Sequence, residues 1–121
     1  MRVMTVFGFL PAFIFYTESL PAPWCGGTAN GPVVRLRPKY QNDTGILAHE
    51  LVHVRQWYRT LGLHGILYTA SRRYRLASEV EAYREQLRHY NDDRSVQFAD
   101  SISACYQLDI TQEQALTALL G

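Results

Sequence analysis

The chain has little charge, little cysteine and no long apolar run, and each shortage argues against a class of protein. Among 121 residues, 12 basic and 11 acidic side chains leave a formal charge of +1, which disfavours a protein devoted to nucleic-acid phosphates. The 2 cysteines are too few for a disulfide framework. No apolar run is long enough to cross a bilayer as a helix. No internal repeat or low-complexity segment is present, so a repeat array is not expected.

The composition that remains is typical of one globular domain. Apolar residues make up 47% of the chain and charged residues 19%, and this length can bury one hydrophobic core. We therefore predict a single domain over residues 1–121, with an apolar N-terminal segment at residues 1–18 and a core at residues 19–121.

The two cysteines leave two states open. Cys25 and Cys105 can form one bridge in an oxidising compartment or stay as free thiols in a reduced cytosol. We favour free thiols and a cytoplasmic protein. Neither cysteine is close in sequence to the histidines discussed below, so we do not count them as metal ligands.

The apolar run at residues 3–16 partly resembles a signal peptide because one positive charge precedes it. Gly8 and Pro11 interrupt the run, and its β-branched and aromatic residues suit strands equally well. We predict strands at residues 3–9 and 12–17, bent at Pro11. Export, and membrane association through this run, remain the less favoured alternatives.

Strand signals come first along the chain and helix signals follow, which predicts an α+β fold. The expected elements after the N-terminal strands are a loop at 21–32, a strand at 33–37 closed by Pro38, and helices at about 45–60, 65–75, 78–90, 96–106 and from Thr111 onward. Asn42, Asp43 or Thr44 caps the first helix and Gly62 ends it. Ser78 with Glu81 fits a capping box at the start of the third. We thus expect a small N-terminal sheet followed by four to five helices.

The segment His49-Glu50-Leu51-Val52-His53 is the strongest chemical signal in the chain. In a helix, residues four apart lie on the same face, so both imidazoles can reach one metal ion. Glu50 projects about 100° around the helix from His49, where it can take a proton from a metal-bound water. The motif therefore predicts a catalytic metal site with Glu50 as general base.

The position of the motif on its helix supports this interpretation. An apolar stripe that includes Leu51, Val54 and Tyr58 runs along the same helix, and both histidines lie beside it rather than on the solvated side. Buried imidazoles need polar partners, and a metal ion supplies one to both. The alternative, that these are ordinary histidines of an amphipathic helix, is the less favoured one.

An open zinc site needs a third protein ligand. From the residues alone, the downstream Asp and Glu residues are the main choices, and His64 and His89 are alternatives. The later segment Glu79-Val80-Glu81-Ala82-Tyr83 resembles the Glu-x-x-Ala-Asp type of motif that follows HExxH in gluzincins.

That resemblance implies Glu79 as the third ligand and Ala82 as the small residue that lets two helices approach. Glu81 is then expected to be solvated as part of the capping box. Tyr83 stands where many gluzincins carry an acid that holds a histidine ligand, so the second shell stays unassigned.

Residues 19–110 also resemble small HExxH proteins of phages and bacteria, with Gly26-Gly27, residues 33–38, residues 49–57 and residues 79–83 carrying the likeness. The resemblance implies a minimal zincin-like metallopeptidase in which one Zn²⁺ is held by His49, His53 and Glu79 and a peptide or protein is the substrate. The conceivable oxyanion donors are Tyr58, His64, Tyr83 and Tyr106. The strand at residues 33–37 is expected either to bind an extended substrate at a sheet edge or to be purely structural.

Two other functions stay open. The chain could be a zinc-binding or interaction protein that keeps the gluzincin scaffold without turnover. A nucleic-acid role based on the Arg-rich helices ranks last because the charge is balanced.

Overall fold

The structure is a computed structural model that describes residues 1–23 and 25–121, and it has a four-stranded sheet followed by five α-helices. The strands are β1 (Arg2–Val6), β2 (Leu10–Tyr16), β3 (Gly27–Asn30) and β4 (Val33–Leu36). The helices are α1 (Thr44–Arg59), α2 (His64–Ala70), α3 (Arg72–Leu87), α4 (Ser95–Cys105) and α5 (Gln112–Leu120), and one 3-10 turn at Pro38–Tyr40 precedes α1. This arrangement confirms the predicted α+β class.

The first two strands form a hairpin whose reversal differs from the prediction. The chain turns at residues 7–9, where Phe7 and Gly8 have φ angles of 52° and 81°, and Pro11 lies inside β2 opposite Thr5. Proline is tolerated there because β2 pairs with β4 only from Phe13 onward, so the missing N–H removes no bond to β4. The predicted bend at Pro11 is wrong.

The predicted loop at residues 21–32 contains the strand β3, which is a correction. The sheet order is β1-β2-β4-β3, with β1 and β3 antiparallel to their neighbours and β2 parallel to β4. A Cβ on Gly27 would lie 2.5 Å from Leu36 Cδ2, so glycine serves close packing here rather than a turn. Trp24, also in the predicted loop, lies outside the described residues.

The position of β3 also corrects the expected substrate edge. The predicted edge strand at residues 33–37 corresponds to β4, which lies between β2 and β3. Its backbone is paired on both sides and has no free edge to offer. The border strands of the sheet are β1 and β3.

Helix α1 agrees with the prediction at both ends. The Asp43 carboxylate accepts hydrogen bonds from the backbone N–H groups of Gly45 at 3.0 Å and Ile46 at 3.2 Å. Gly62, with φ 87°, follows the last turn. Helices α4 and α5 are also confirmed, and Thr111 with Gln114 forms the capping box of α5.

Helix α3 begins earlier than predicted. Ser71 caps it by accepting a hydrogen bond from the Tyr74 N–H, so α3 starts at Arg72 and Ser78 lies within it. The capping box expected at Ser78 is wrong because Ser78 is already helical and its hydroxyl donates to Gln56 Oε1 instead. The continuous helix that results holds Glu79 near its middle.

Helix α1 lies between two apolar clusters, and this placement positions the site. Leu51 and Val54 of α1 join the sheet cluster, which includes Ile14, Val34 and Leu36. The second cluster is formed by side chains of α3, α4 and α5 and of the segment before α5 (Val80, Tyr83, Phe98, Ala99, Ile102, Leu108, Ala115 and Leu119). Within the described residues, no helix is both long and apolar enough to cross a membrane.

Candidate metal site

Helices α1 and α3 bring together the three side chains predicted to hold a metal. One ligand atom from each of His49, His53 and Glu79 lies within 4.8 Å of the others. His49 Nε2 is 3.2 Å from Glu79 Oε1, and His53 Nε2 is 3.3 Å from Glu79 Oε2. The three residues are 5%, 8% and 2% exposed. This buried group can hold a metal ion.

The polar atoms of the group fit such an ion. Glu79 Oε1 is buried and has no hydrogen-bond partner among the described residues, although buried carboxylate oxygens are normally paired. A cation between Glu79 and the two imidazoles would satisfy this oxygen. Two imidazole nitrogens and one carboxylate oxygen are donors that suit zinc and related transition metals better than calcium or magnesium.

Two glutamines that the sequence analysis did not single out orient the imidazoles. His49 Nδ1 donates to Gln86 Oε1 at 3.0 Å, and His53 Nδ1 donates to Gln56 Oε1 at 2.9 Å. An amide oxygen only accepts, so each neutral ring keeps its proton on Nδ1 and its lone pair on Nε2, beside Glu79. These glutamines hold the two histidine rings, which is the role for which the sequence offered no residue because Tyr83 stands in place of the acid.

Further hydrogen bonds fix which way each amide points. Gln56 Nε2 donates to Glu81 Oε1 at 2.8 Å, and a carboxylate can only accept. Gln86 Nε2 donates to the Tyr90 hydroxyl at 3.0 Å, which in turn donates to Asp43 Oδ1 at 2.8 Å. Glu81 also pairs with Arg59, and its side chain is 45% exposed, so the expected solvated position is confirmed, while the expected role in a capping box is wrong.

The sequence spacing of the two glutamines from the metal ligands could have indicated their role. Gln56 follows His53 by three residues in α1, and Gln86 follows Glu79 by seven in α3. Both intervals keep two side chains on one helix face.

Glu50 lies beside the ligand set in a buried position. Its Oε1 is 4.0 Å from His49 Nε2, and 6% of the residue is exposed. Burial raises the pKa of Glu50, while the two neighbouring histidines oppose this change. A carboxylate with a raised pKa beside a metal position suits proton transfer near neutral pH.

The charges of His53 and Glu79 stabilise each other. Burial alone would lower the pKa of His53, but the Glu79 carboxylate outweighs it and raises this pKa to about 9. Burial would raise the pKa of Glu79, but the histidines hold it well below its usual range. The metal-free site therefore contains an ion pair at neutral pH.

This ion pair predicts that metal affinity depends on pH. Below pH about 9, metal binding must displace the His53 proton, so zinc affinity should rise about tenfold per pH unit and level off above that pH. Competition with a chromophoric chelator between pH 6.5 and 9.5 would measure this dependence. An affinity that does not change with pH would contradict the assigned ion pair.

The same pKa shift has a consequence for metal-free stability. Because the folded pKa of His53 lies above the ordinary value of 6.5, this group stabilises the metal-free fold fully below pH 6.5. The contribution is lost as the pH rises through about 9.

Tyr68 is a further site residue that the sequence analysis missed. Its hydroxyl donates to Glu79 Oε2 at 2.6 Å, and its ring centroid is 6.3 Å from that of His53. Burial and the nearby Glu79 raise its pKa, so the phenol stays protonated and can donate. It follows His64 by four residues in α2, a spacing that places both on one face.

The four residues predicted to donate a hydrogen bond to the oxyanion fall into two groups by their position. His64, Tyr83 and Tyr106 line the same cavity as the ligand set. Tyr58 does not, because its hydroxyl donates to the Pro11 carbonyl at 2.6 Å on the sheet side of α1, and this placement corrects its assignment as a donor. It belongs to the apolar stripe of α1, which faces away from the site.

His64 is the one predicted donor that is an imidazole, and it is neutral at physiological pH. Burial and the positive charge of His53 lower its pKa to about 4. Its Nδ1 lies 2.7 Å from the Tyr74 hydroxyl. His89, an alternative third ligand, lies outside the metal group and contacts Thr44 Oγ1 at 3.2 Å.

The metal group opens onto a cavity of about 750 Å³, a size typical of ligand sites. Residues of β3, α1, α2, α3 and α4 line it, together with both cysteines. Cys25 and Cys105 are free thiols, and the fold brings both to the cavity despite their distance in sequence.

Comparison of the chain with protein-family models, with curated proteins and with solved structures found no match, so the interpretation of this site depends on its own geometry.

Proposed function

We propose that the chain is a zinc-dependent hydrolase, similar to gluzincins, that cleaves peptide bonds. The observation that carries the proposal is the convergence of His49, His53 and Glu79 in a buried group that lines a cavity, with Glu50 beside it. Three protein ligands leave one position of a tetrahedral zinc ion open for water, as catalytic zinc sites require.

Each residue of the site has a role in this proposal. Zinc held there supplies a Lewis acid and a water that loses its proton near neutral pH. Glu50 takes that proton and delivers it to the leaving amine. His64, on the α2 face that borders the cavity, is suited to donate a hydrogen bond to the oxyanion. Tyr68 would do so only after its one hydroxyl proton turns from Glu79 Oε2 to the substrate.

The charges around the cavity favour the interior of a peptide over its ends. The described residues that line the cavity include no Lys or Arg, and the acidic side chains among them are Glu50 and Glu79, both at the metal centre. Two nearby arginines are engaged by backbone carbonyls: Arg37 binds those of Cys25 and Ala22, and Arg75 binds those of Tyr68 and Tyr106. No cation among these residues is available to bind a terminal carboxylate, so we infer an endopeptidase for uncharged segments.

Strand β3 is suited to hold such a segment. It is a border strand of the sheet and lines the cavity, so an extended substrate can pair with its free backbone edge.

The test compares one uncharged fluorogenic peptide in two forms, with blocked ends and with free ends. The zinc-loaded protein should cleave both at an internal bond, lose activity to a chelator and recover it with zinc. Cleavage of the free-ended form alone would contradict endopeptidase activity but would agree with the proposed zinc-dependent hydrolase. If zinc-loaded protein cleaves no member of a broad blocked-peptide library, the proposed hydrolase is wrong.

A non-catalytic zinc protein is the second candidate. Its support is the burial of the ligands, which are at most 8% exposed, and the hydrogen bond from Tyr68 to Glu79. Structural zinc sites have four protein ligands, so such a site would need one more than these three. Such a protein would bind zinc tightly, cleave nothing, and keep its biological effect after Glu50→Gln.

A further inference from the structure

Tyr83 connects the metal group to the wall of the cavity that α4 forms. Its ring centroid is 4.4 Å from that of the ligand His49 and 5.0 Å from that of Phe98 in α4. Tyr83 is 8% exposed and lines the cavity together with Tyr106, which directly follows α4. A substrate residue bound beside the metal group would therefore contact this wall.

The hydroxyl groups of Tyr83 and Tyr106 leave one proton without an acceptor. Their oxygens are 2.8 Å apart, and either one can donate to the other. Each phenol carries one proton at neutral pH, so the bond between them uses one proton of the pair. Neither hydroxyl has another hydrogen-bond partner among the described residues. The second proton is therefore available to a molecule bound in the cavity.

The cavity face of α4 supplies an acceptor and no charge. Gln97, Ser101 and Cys105 are spaced four residues apart, so they share one face of the helix, and all three line the cavity. Ser101 Oγ donates its proton to the Gln97 carbonyl at 3.3 Å, which leaves the lone pairs of this oxygen free to accept. The wall thus combines a phenolic donor, a hydroxyl acceptor and aromatic rings, with no charged side chain among its described residues.

We propose that this wall is the subsite of the proposed hydrolase for a carboxamide side chain, so that the enzyme cleaves next to a glutamine or asparagine residue. A carboxamide oxygen accepts and its NH2 group donates, which suits the free phenolic proton and Ser101 Oγ. The apolar stem would pack on the rings of Tyr83 and Phe98.

Other side chains suit the wall less well. An aliphatic side chain would exclude water and leave the buried phenolic proton unpaired. A carboxylate would find no cation among the described residues of the wall. Cleavage beside a carboxamide residue rests on the proposed function, whereas binding of that residue does not.

Calorimetric titration of zinc-loaded Glu50→Gln protein with blocked peptides tests the subsite without cleavage. The peptides are identical except that glutamine, methionine or glutamate stands directly before or directly after the central bond. The glutamine peptide should bind about tenfold or more tightly than the methionine peptide, which has a side chain of similar length without the amide. The glutamate peptide should also bind less tightly than the glutamine one. Wild-type protein should prefer the same peptide in cleavage.

Replacing both Tyr83 and Tyr106 by Phe should abolish the preference for glutamine, because the rings remain and only the hydroxyls are lost. Ser101→Ala should reduce the preference from a partly exposed position, and it leaves the apolar core unchanged. Tyr16→Phe is the matched control: Tyr16 packs on the sheet cluster outside the cavity, so this variant should keep the preference.

Two binding results would overturn the subsite: equal affinity for the three peptides, or binding of none. With Glu50 intact, an equal loss of cleavage rate on the glutamine and methionine peptides in the double Phe variant would also overturn it, because the hydroxyls would then act on every substrate. Wild-type cleavage without a preference for glutamine would contradict the subsite and agree with the hydrolase. A preference in binding without any cleavage by the wild type would support the subsite and contradict the hydrolase.

Discussion

Glu50→Gln protein is expected to keep its zinc and to hydrolyse peptides at least about a thousandfold more slowly than the wild type. The amide has almost the same shape as the carboxylate, but it cannot take a proton from water. Because Glu50 is not part of the ligand group of His49, His53 and Glu79, the metal should remain bound. Zinc content by mass spectrometry and steady-state rates on a fluorogenic peptide would measure both effects.

Glu85→Gln is the matched control for this variant. Glu85, in the last turn of α3, pairs at the surface with Arg88 and His89, which follow the helix, so the same chemical change there should leave zinc content and rate near wild type. Full activity of Glu50→Gln would show that the general base is another group. Loss of zinc from this variant would instead make Glu50 part of the metal site.

Replacing Glu79 by Gln is expected to weaken zinc binding by roughly a hundredfold or more, exceeding the loss typical of a second-shell change. The variant removes the carboxylate that both imidazoles face and leaves a neutral amide oxygen as a poor substitute. Zinc should raise the melting temperature of the wild type, since a ligand that binds only the folded state stabilises it. It should do so far less for the variant.

Calorimetric zinc titration and thermal unfolding with and without zinc would measure this difference. Glu85→Gln again serves as the control and should respond to zinc as the wild type does. A Glu79→Gln protein that binds zinc with unchanged affinity would show that the carboxylate is not a ligand, and the three-residue site would have to be abandoned.

The predictable part of the site is the part fixed by one helix. His49, Glu50 and His53 have positions set by helical periodicity alone, and the Asp43 cap and Gly62 made the bounds of α1 clear. Glu79 was predicted from a resemblance, because the approach of α3 to α1 depends on the whole fold.

The unpredicted parts depend on contacts between distant segments. Gln86 contacts His49 from 37 residues away, and the Tyr68 hydroxyl reaches Glu79 because α2 and α3 pack against each other. Strand β3 was missed because its four residues include Gly27 and Asn30, which are rare in strands, and pairing with β4 outweighs that preference. Local pattern favours a loop there, and tertiary contact decides otherwise.

The hydrogen bonds of Asp43 connect the first turn of α1 to the ligand His49. One oxygen of this side chain accepts from two backbone amides and from Tyr90, which supports Gln86 and through it His49. Fraying of that first turn would therefore also release the imidazole from its alignment. Metal affinity is therefore expected to fall when the first turn of α1 frays.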